Sequence, residues 1–406
     1  QKDIESALKQ KWEIIAQGLP QVSATADYQN YLKQPVTLLP AEITGGEPGT
    51  FTPVTFGTQQ NVNATATWNQ LIFDGSYIVG IQSARTLLQI SENAKTKTDL
   101  EIKKAVINAY GNVLLAEENV AILQKNVENV QNNYDETNEI YKNGLAEQED
   151  VEQLEITLLN LKNNLSRSKR MRDIAYEMFN LTLGIPVEIP VNLTEELDNL
   201  AMEYFDLELL QKEIPVEENI DYRIAANTAE SREIEVKLEK SKALPSLTGF
   251  LNYGVQGFSQ EFTFLNEDQE YFGQSILDVS LNIPIFISSM RSSRTQQKQI
   301  AYEQAMVELE QTENEVKRQI NSAKSDYEFS LENYQNQKKN LELAERIENK
   351  NQIKFFEGIA SSFELSEAQR QLYQAQQDFL QSMLDVITAK VELENLLDTR
   401  KYNNED

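Results

Sequence analysis

A turn spelled aromatic-x-x-Gly-aliphatic-Ala occurs twice and divides the chain into two copies of one plan. Tyr141-Lys142-Asn143-Gly144-Leu145-Ala146 returns as Phe355-Phe356-Glu357-Gly358-Ile359-Ala360, the glycines standing 358 − 144 = 214 positions apart. Each copy ends one long helical pattern and opens a shorter one, as the tip of a helical hairpin does. Upstream, Trp68-Asn69-Gln70-Leu71-Ile72-Phe73-Asp74-Gly75 answers Leu281-Asn282-Ile283-Pro284-Ile285-Phe286-Ile287-Ser288, at 286 − 73 = 213 positions. Gly18-Leu19-Pro20 likewise answers Ala243-Leu244-Pro245. An internal repeat on this scale governs the whole architecture. It predicts helix, strand pair, long helix and shorter return helix, in that order, twice. The first copy takes residues 1–183, with its strand pair at 18–73, long helix at 76–142 and return helix at 147–183. The second takes 216–398, with its strand pair at 244–287, long helix at 290–356 and return helix at 361–398. Between them, segment 184–215 is punctuated by Pro186, Pro190 and Pro215 and carries short amphipathic pieces such as Leu200 to Leu210, which reads as a packed collar. Residues 399–406 read as a frayed acidic tail.

Composition excludes several classes of function. With 64 acidic against 37 basic residues the net charge is −27, which repels phosphate backbones and argues against nucleic acid as a partner. Cysteine and histidine are both absent. Disulfides, thiolate metal sites and a lipidated cysteine in the chain as given are therefore excluded, and with them histidine-based triads and zinc sites. No metal or cofactor is expected. Mean hydropathy is −0.50, and no run approaches the roughly 20 apolar residues of a membrane-spanning helix. The chain opens at Gln1 inside a helical pattern, so a processed or trimmed N-terminus is expected.

Four segments alternate with period two. Val22, Ala24, Ala26 and Tyr28 share one face, opposed by Gln21, Ser23, Thr25, Asp27 and Gln29. Val62, Ala64, Ala66 and Trp68 share another, opposed by Asn61, Asn63, Thr65, Thr67 and Asn69. In the second copy Leu247, Gly249, Leu251, Tyr253 and Val255 form one apolar face, and Leu277, Val279, Leu281, Ile283 and Ile285 form the next. A half-buried sheet on a soluble core shows the same alternation. These strands, however, run to about a dozen residues, enough to cross a bilayer when tilted. Tyr28, Tyr31, Trp68 and Tyr253 read as interface aromatics near strand ends. The stretches Gln34 to Gln60 and Gly257 to Gln274 read as long loops. Four strands cannot close a barrel, which wants about eight or more. The chain is thus expected to supply a fraction of a shared one.

The helices carry a second pattern. From Ser76 to Lys142 there is no proline, and such a helix reaches roughly 100 Å. Val113, Ala116, Val120, Leu123, Val127, Val130, Tyr134, Thr137 and Tyr141 step by threes and fours, as a coiled-coil seam does. Val151, Leu154, Leu158, Leu161 and Leu165 hold the rhythm on the return helix. Val316, Ile320, Ala323, Tyr327, Ser330 and Tyr334 repeat it on the second long helix, and Leu365, Ala368, Leu372, Ala375, Phe379, Ser382 and Val386 on its return.

The repeat order, the Leu-Pro strand entries, Leu-Ile-Phe-Asp-Gly leading into a long helix, and Gly-Leu-Ala or Gly-Ile-Ala at the hairpin tips resemble the TolC family of outer-membrane efflux channels over nearly the whole chain. The resemblance implies a mostly α fold with β: tandem-repeat long α-helical coiled-coil hairpins plus four antiparallel strands. Three chains would then close one twelve-stranded outer-membrane β-barrel that continues as a periplasmic tunnel, with 184–215 at its equator. The implied function is the passive exit duct of a tripartite efflux pump or type I secretion system of a Gram-negative bacterium. Implied partners are two further copies, a periplasmic adaptor, an inner-membrane transporter, outer-membrane lipid, and an exported small molecule or polypeptide. Transport energy would come from the transporter, since this chain has no Gly-x-x-x-x-Gly-Lys-[ST] motif and no catalytic residue is expected.

Carried over residue by residue, the adaptor-docking tips fall on Gly144, Leu145 and Ala146, and on Gly358, Ile359 and Ala360. As C-caps those glycines also have a purely geometric use. The family narrows its periplasmic aperture with acids at positions matching Glu364 and Glu367, with Asp150 the counterpart of Glu364 in the first copy. Ser361-Ser362-Phe363-Glu364 also fits a capping box, whereas Glu367 has no such local use. Some members carry a basic residue, part of a closed-state lock, where this chain has Ala360. Two rival readings are a structural or adhesive coiled-coil protein without a pore and a carboxylate enzyme. The second lacks an enclosed pocket, because acids one turn apart on a coiled coil form none.

Overall fold

The computed structural model describes residues 2–286 and 288–398. Gln1, Ile287 and the expected tail 399–406 lie outside the described residues. The elements run α1 (Lys2–Ala16), β1 (Gln21–Asn30), β2 (Val36–Pro40), β3 (Phe51–Thr55), β4 (Gln60–Asp74), α2 (Gly75–Lys142) and α3 (Gln148–Leu183). After these come α4 (Leu197–Glu203), α5 (Glu208–Gln211), α6 (Ile220–Ser241), β5 (Ser246–Ser259), β6 (Tyr271–Asn282), α7 (Met290–Phe356) and α8 (Ser362–Leu396). Among the described residues no helix is long and apolar enough to cross a membrane. Packing groups these elements into two compact units that cut across the sequence repeats. One takes residues 1–92 and 226–307, the other 93–225 and 308–406.

The first unit holds the sheet, in the order β1-β4-β5-β6 and antiparallel throughout. The register realises the two faces written in the sequence. Val22, Trp68, Leu251 and Leu277 align across the four strands, as do Ala24, Ala66, Tyr253 and Ser275. On the other face Thr25 meets Thr65, their hydroxyls 2.9 Å apart, and Asn252 donates to the Thr67 hydroxyl at 2.7 Å. Such polar cross-strand pairs satisfy side chains on the face that carries them. Three expectations need correction here. Trp68 and Tyr253 lie inside their strands, because β4 continues to Asp74 and β5 to Ser259. Ile283 and Ile285 fall beyond the end of β6, where Pro284 has no N–H to extend the ladder. The stretch 34–60 is not a plain loop: β2 and β3 form a second antiparallel ribbon joined through a short helical turn at Ala41–Thr44.

The start of α2 is set locally. Asp74 Oδ1 accepts the backbone N–H of Ser76 at 2.7 Å and of Tyr77 at 3.1 Å, satisfying donors that a helix start leaves free. Tyr77 then donates its hydroxyl to the Ile15 carbonyl at 3.0 Å, tying α2 to the end of α1.

The second unit is a helical body whose core follows the coiled-coil seams. Val113, Val130, Leu154, Leu365 and Val386 are fully buried, and Leu123, Val130, Leu158 and Leu161 form one cluster between α2 and α3. From segment 184–215, Leu197, Leu200, Ala201 and Leu209 enter a core with Leu114, Tyr327 and Ile387. Tyr327 fastens the segment: the hydroxyl donates to the Tyr204 carbonyl at 2.6 Å and accepts the Asp206 N–H at 2.9 Å. Tyr327→Phe leaves that N–H without its acceptor, so it is expected to cost about 1–3 kcal/mol. The lower midpoint in thermal unfolding measures this loss; an unchanged midpoint would mean that apolar packing alone holds the segment.

Candidate functional site

The two repeated turns are built alike. Gly144 and Gly358 sit at φ +75° and +70°, in left-handed backbone that side chains resist, with open space where a Cβ would stand. Conformation, not crowding, therefore selects glycine. Behind each glycine the helix closes with the same pair of bonds. Gly144 N–H donates to Tyr141 O at 2.7 Å and Leu145 N–H to Ile140 O at 3.1 Å, matched by Gly358 to Phe355 at 2.9 Å and Ile359 to Lys354 at 2.8 Å. This double bond pattern usually brings an apolar residue after the glycine back onto the helix. Here it does not: Leu145 is 81% and Ile359 70% exposed. Ala146 and Ala360 are half-buried. Both turns thus present an aliphatic side chain to solvent on a backbone already satisfied.

The acids beyond the turns have local partners. Ser361 caps α8 in a reciprocal box: its hydroxyl accepts the Glu364 N–H at 3.3 Å, and the Glu364 carboxylate accepts the Ser361 N–H at 2.9 Å. Those bonds from Ser361 hold the Glu364 carboxyl below the usual range. Glu367, read from sequence as lacking a local use, is in fact paired with Arg370 one turn on and accepts from Gln371 at 3.3 Å. The Arg370 guanidinium keeps its carboxyl low. Both acids are thereby stabilised as carboxylates, an effect lost as pH falls through their lowered range. Asp150, on the first turn of α3, donates its N–H to Glu147 O at 3.2 Å.

Of these acids, Glu367 lines a groove between two helices, while Glu364 also feels the charge of Lys354 on α7. The groove, of about 390 Å³, lies between α3 and α8, and Glu367 shares it with Arg370, Phe363, Ile156, Asn160 and Tyr373. Glu364 and Asp150 lie outside it. Sequence reasoning missed Phe363, which is 70% exposed beside the cap, and Arg370. The i, i+3 spacing of Glu367 and Arg370 was the available signal for the latter. Among the described residues no group of acids is placed to hold a metal ion.

Comparisons with known proteins agree with this architecture. The family model described as outer membrane efflux protein matches residues 3–184 and 216–399. A comparison with curated protein sequences finds no match. Among solved structures, the Vibrio cholerae outer membrane protein VceC superposes with a TM-score of 0.74 at 13% identity, over 98% of this chain and 91% of that one. The Campylobacter jejuni CmeC outer membrane channel gives 0.73 at 15% identity, over 100% and 83%. The open state of the Neisseria gonorrhoeae MtrE outer membrane channel gives 0.74 at 16%, over 97% and 84%. At such identities the structures establish a shared fold, while the sequence model covers both repeats and leaves out most of segment 184–215. With its repeated hairpins and two-faced sheet, the chain belongs to the outer membrane efflux protein family.

Proposed function

We propose that three copies of this chain close one twelve-stranded barrel in the outer membrane, and that their exposed hairpin turns dock a periplasmic adaptor joined to an inner-membrane transporter. The family assigns the chain itself: it is an outer-membrane efflux duct, with its helical part in the periplasm. The duct is passive, conducting what the transporter drives and catalysing nothing.

One observation supports the shared barrel above the others. Among the described residues the sheet ends on two unpaired edges, β1 and β6, and every residue of β1 is exposed. An unpaired edge leaves its backbone N–H and C=O groups without partners, which a hydrocarbon core does not tolerate. Strands of 10, 15, 14 and 12 residues are long enough to span it. Pairing β6 of one copy with β1 of the next removes both edges at once. Mass measurement in detergent tests this directly: three chains per particle are expected, and a monomer would remove the shared barrel. A poreless adhesive rod would instead stay soluble without detergent.

At the periplasmic aperture we assign Glu364 and Glu367, with Asp150 beside them, to a ring of acids that favours cations. Three chains bring three copies of each around one axis. Glu364→Gln with Glu367→Gln is expected to lower cation selectivity in planar bilayers and to weaken block by multivalent cations added from the periplasmic side. Glutamine serves a capping box as well as glutamate does, so the α8 start survives. Unchanged selectivity and block would confine these acids to the cap and to Arg370.

A further inference from the structure

At one end of the sheet the segment between β5 and β6 folds back onto the strands. Tyr28, Val62, Gly257 and Tyr271 align across the four strands, on the same face as Val22, Trp68, Leu251 and Leu277. Phe264 lies over this row. A Cβ on Gly257 would stand 2.9 Å from the Tyr271 ring and 3.3 Å from that of Phe264, so the missing side chain makes the room in which both rings pack. The Tyr28 ring meets Phe262 edge-on with centroids 5.7 Å apart and Phe264 likewise at 6.1 Å, and Phe262 meets Phe264 at 5.7 Å. Aromatic quadrupoles favour this arrangement, which holds the segment as an aromatic hook.

The hook turns its polar groups inward. The Tyr271 hydroxyl donates to the Phe264 carbonyl at 2.7 Å, the Asn266 N–H to the Thr263 carbonyl at 2.9 Å, and the Thr263 hydroxyl to Gln269 Oε1. Phe262-Thr263-Phe264-Leu265 carries no charge, while Glu261 precedes it and Glu267, Asp268 and Glu270 follow. Phe264 is buried, yet Phe262 remains 58% and Leu265 87% exposed. Satisfied polar groups, outward apolar side chains and flanking acids together suit a surface that is apolar below and wet above.

Depth identifies that surface. From the Leu247–Leu281 pair to the Gly257–Tyr271 pair the face runs 257 − 247 = 10 residues along β5. That is about 33 Å along the strand and, at a tilt of 35–45°, about 25 Å along a barrel axis, the height of the apolar band of an outer-membrane barrel. Helices α1, α2 and α6 join the sheet at its other end, which places the hook away from the periplasmic body. We propose that residues 262–265 are a lipid anchor, bedding Phe262 and Leu265 in the outer leaflet where acyl chains meet polar headgroups. The anchor fixes how deep the barrel sits: a shift inward drags Glu261, Glu267, Asp268 and Glu270 toward hydrocarbon, and a shift outward strips the apolar side chains of lipid. It rests on the Ala24–Ala66 face meeting lipid, and adds a contact outside the strands.

The chain has no cysteine, so a single introduced one carries a nitroxide probe unambiguously. Full-length protein labelled at Leu265→Cys, Glu267→Cys or Ala24→Cys is reconstituted in phosphatidylcholine bilayers. Collision of each nitroxide with oxygen, which concentrates in hydrocarbon, is compared with its collision with a water-soluble nickel chelate. The oxygen-to-nickel ratio at Leu265→Cys is expected to lie severalfold above that at Glu267→Cys, toward the value at Ala24→Cys. Because Leu265 is so exposed, its replacement leaves the fold intact. A water-like ratio at 265 with an oxygen-rich one at 24 overturns the anchor and leaves the lipid-facing sheet standing. Water-like ratios at both positions overturn the lipid-facing sheet and the anchor with it. Shielding of 265 from both reagents means that protein, such as a neighbouring copy, covers the hook, and overturns the anchor equally.

Discussion

Export is expected to stop in a chain carrying Leu145→Asp and Ile359→Asp together, while trimers still assemble. The two halves of that outcome have separate causes. Leu145 and Ile359 are 81% and 70% exposed, so they contribute little packing that the substitution can remove. The turns they follow are closed by backbone bonds and by glycines in left-handed conformation, none of which the substitution touches. Folding should therefore be nearly indifferent. Docking should not be, because an aspartate carried into an apolar contact loses its water without gaining a partner. At about 1–3 kcal/mol for each unpaired group, two such sites per chain weaken the contact by roughly one and a half to four orders of magnitude. Repetition around a trimer multiplies the effect. Susceptibility of a deletion strain complemented with the variant reads the export, and heat-resistant trimer on gels reads the assembly. Wild-type export by the double variant would remove the turns from the docking surface. Loss of trimer would show instead that the turns are structural.

What could be read from the residues alone was whatever is periodic. The hairpin tips, the seams of α2, α3, α7 and α8, and the two faces of the sheet all repeat within a few residues and then again in the second half of the chain. Features that depend on one unrepeated contact were not legible. The β2–β3 ribbon is an example. Pro40, Pro53 and the glycines at 45, 46, 49 and 57 look like loop chemistry, yet a two-stranded ribbon leaves outward positions where proline's missing N–H costs nothing. The polar pairs inside the helical body are another. Asn126 donates to Gln376 at 2.7 Å across 250 positions, and no local pattern marks Asn126 as buried. At the candidate site the glycines and exposed aliphatics were visible because the turn is written twice. The Arg370 partner of Glu367 has no counterpart in the first copy, where Ser361's box with Glu364 is also missing and Glu147 starts α3 without a side-chain cap. The two hairpins share a backbone plan and differ in the side chains that secure it.

The membrane assignment makes the sharpest demand on individual residues of the sheet. Ala24 and Ala66 stand opposite one another on the face shared with Val22, Trp68, Leu251 and Leu277, whereas Thr25 and Thr67 lie on the face where hydroxyls and amides bond to each other. In a closed barrel the first face meets lipid and the second the lumen. Arginine at Ala24 or Ala66 should then cost roughly 2–4 kcal/mol of barrel stability if the site lies near the bilayer midplane, since the guanidinium must sit in hydrocarbon or drag water to it. Arginine at Thr25 or Thr67 meets water and polar neighbours and should be tolerated. The comparison is internal, because Ala24 and Thr25 are adjacent and share depth, strand and backbone pairing. Only the direction of the side chain differs. Heat-resistant trimer, followed on gels across a temperature series, should therefore melt earlier for Ala24→Arg than for Thr25→Arg, and likewise for Ala66→Arg than for Thr67→Arg. Equal tolerance at both members of each pair would mean that both faces of the sheet see water, and the membrane barrel would have to be abandoned.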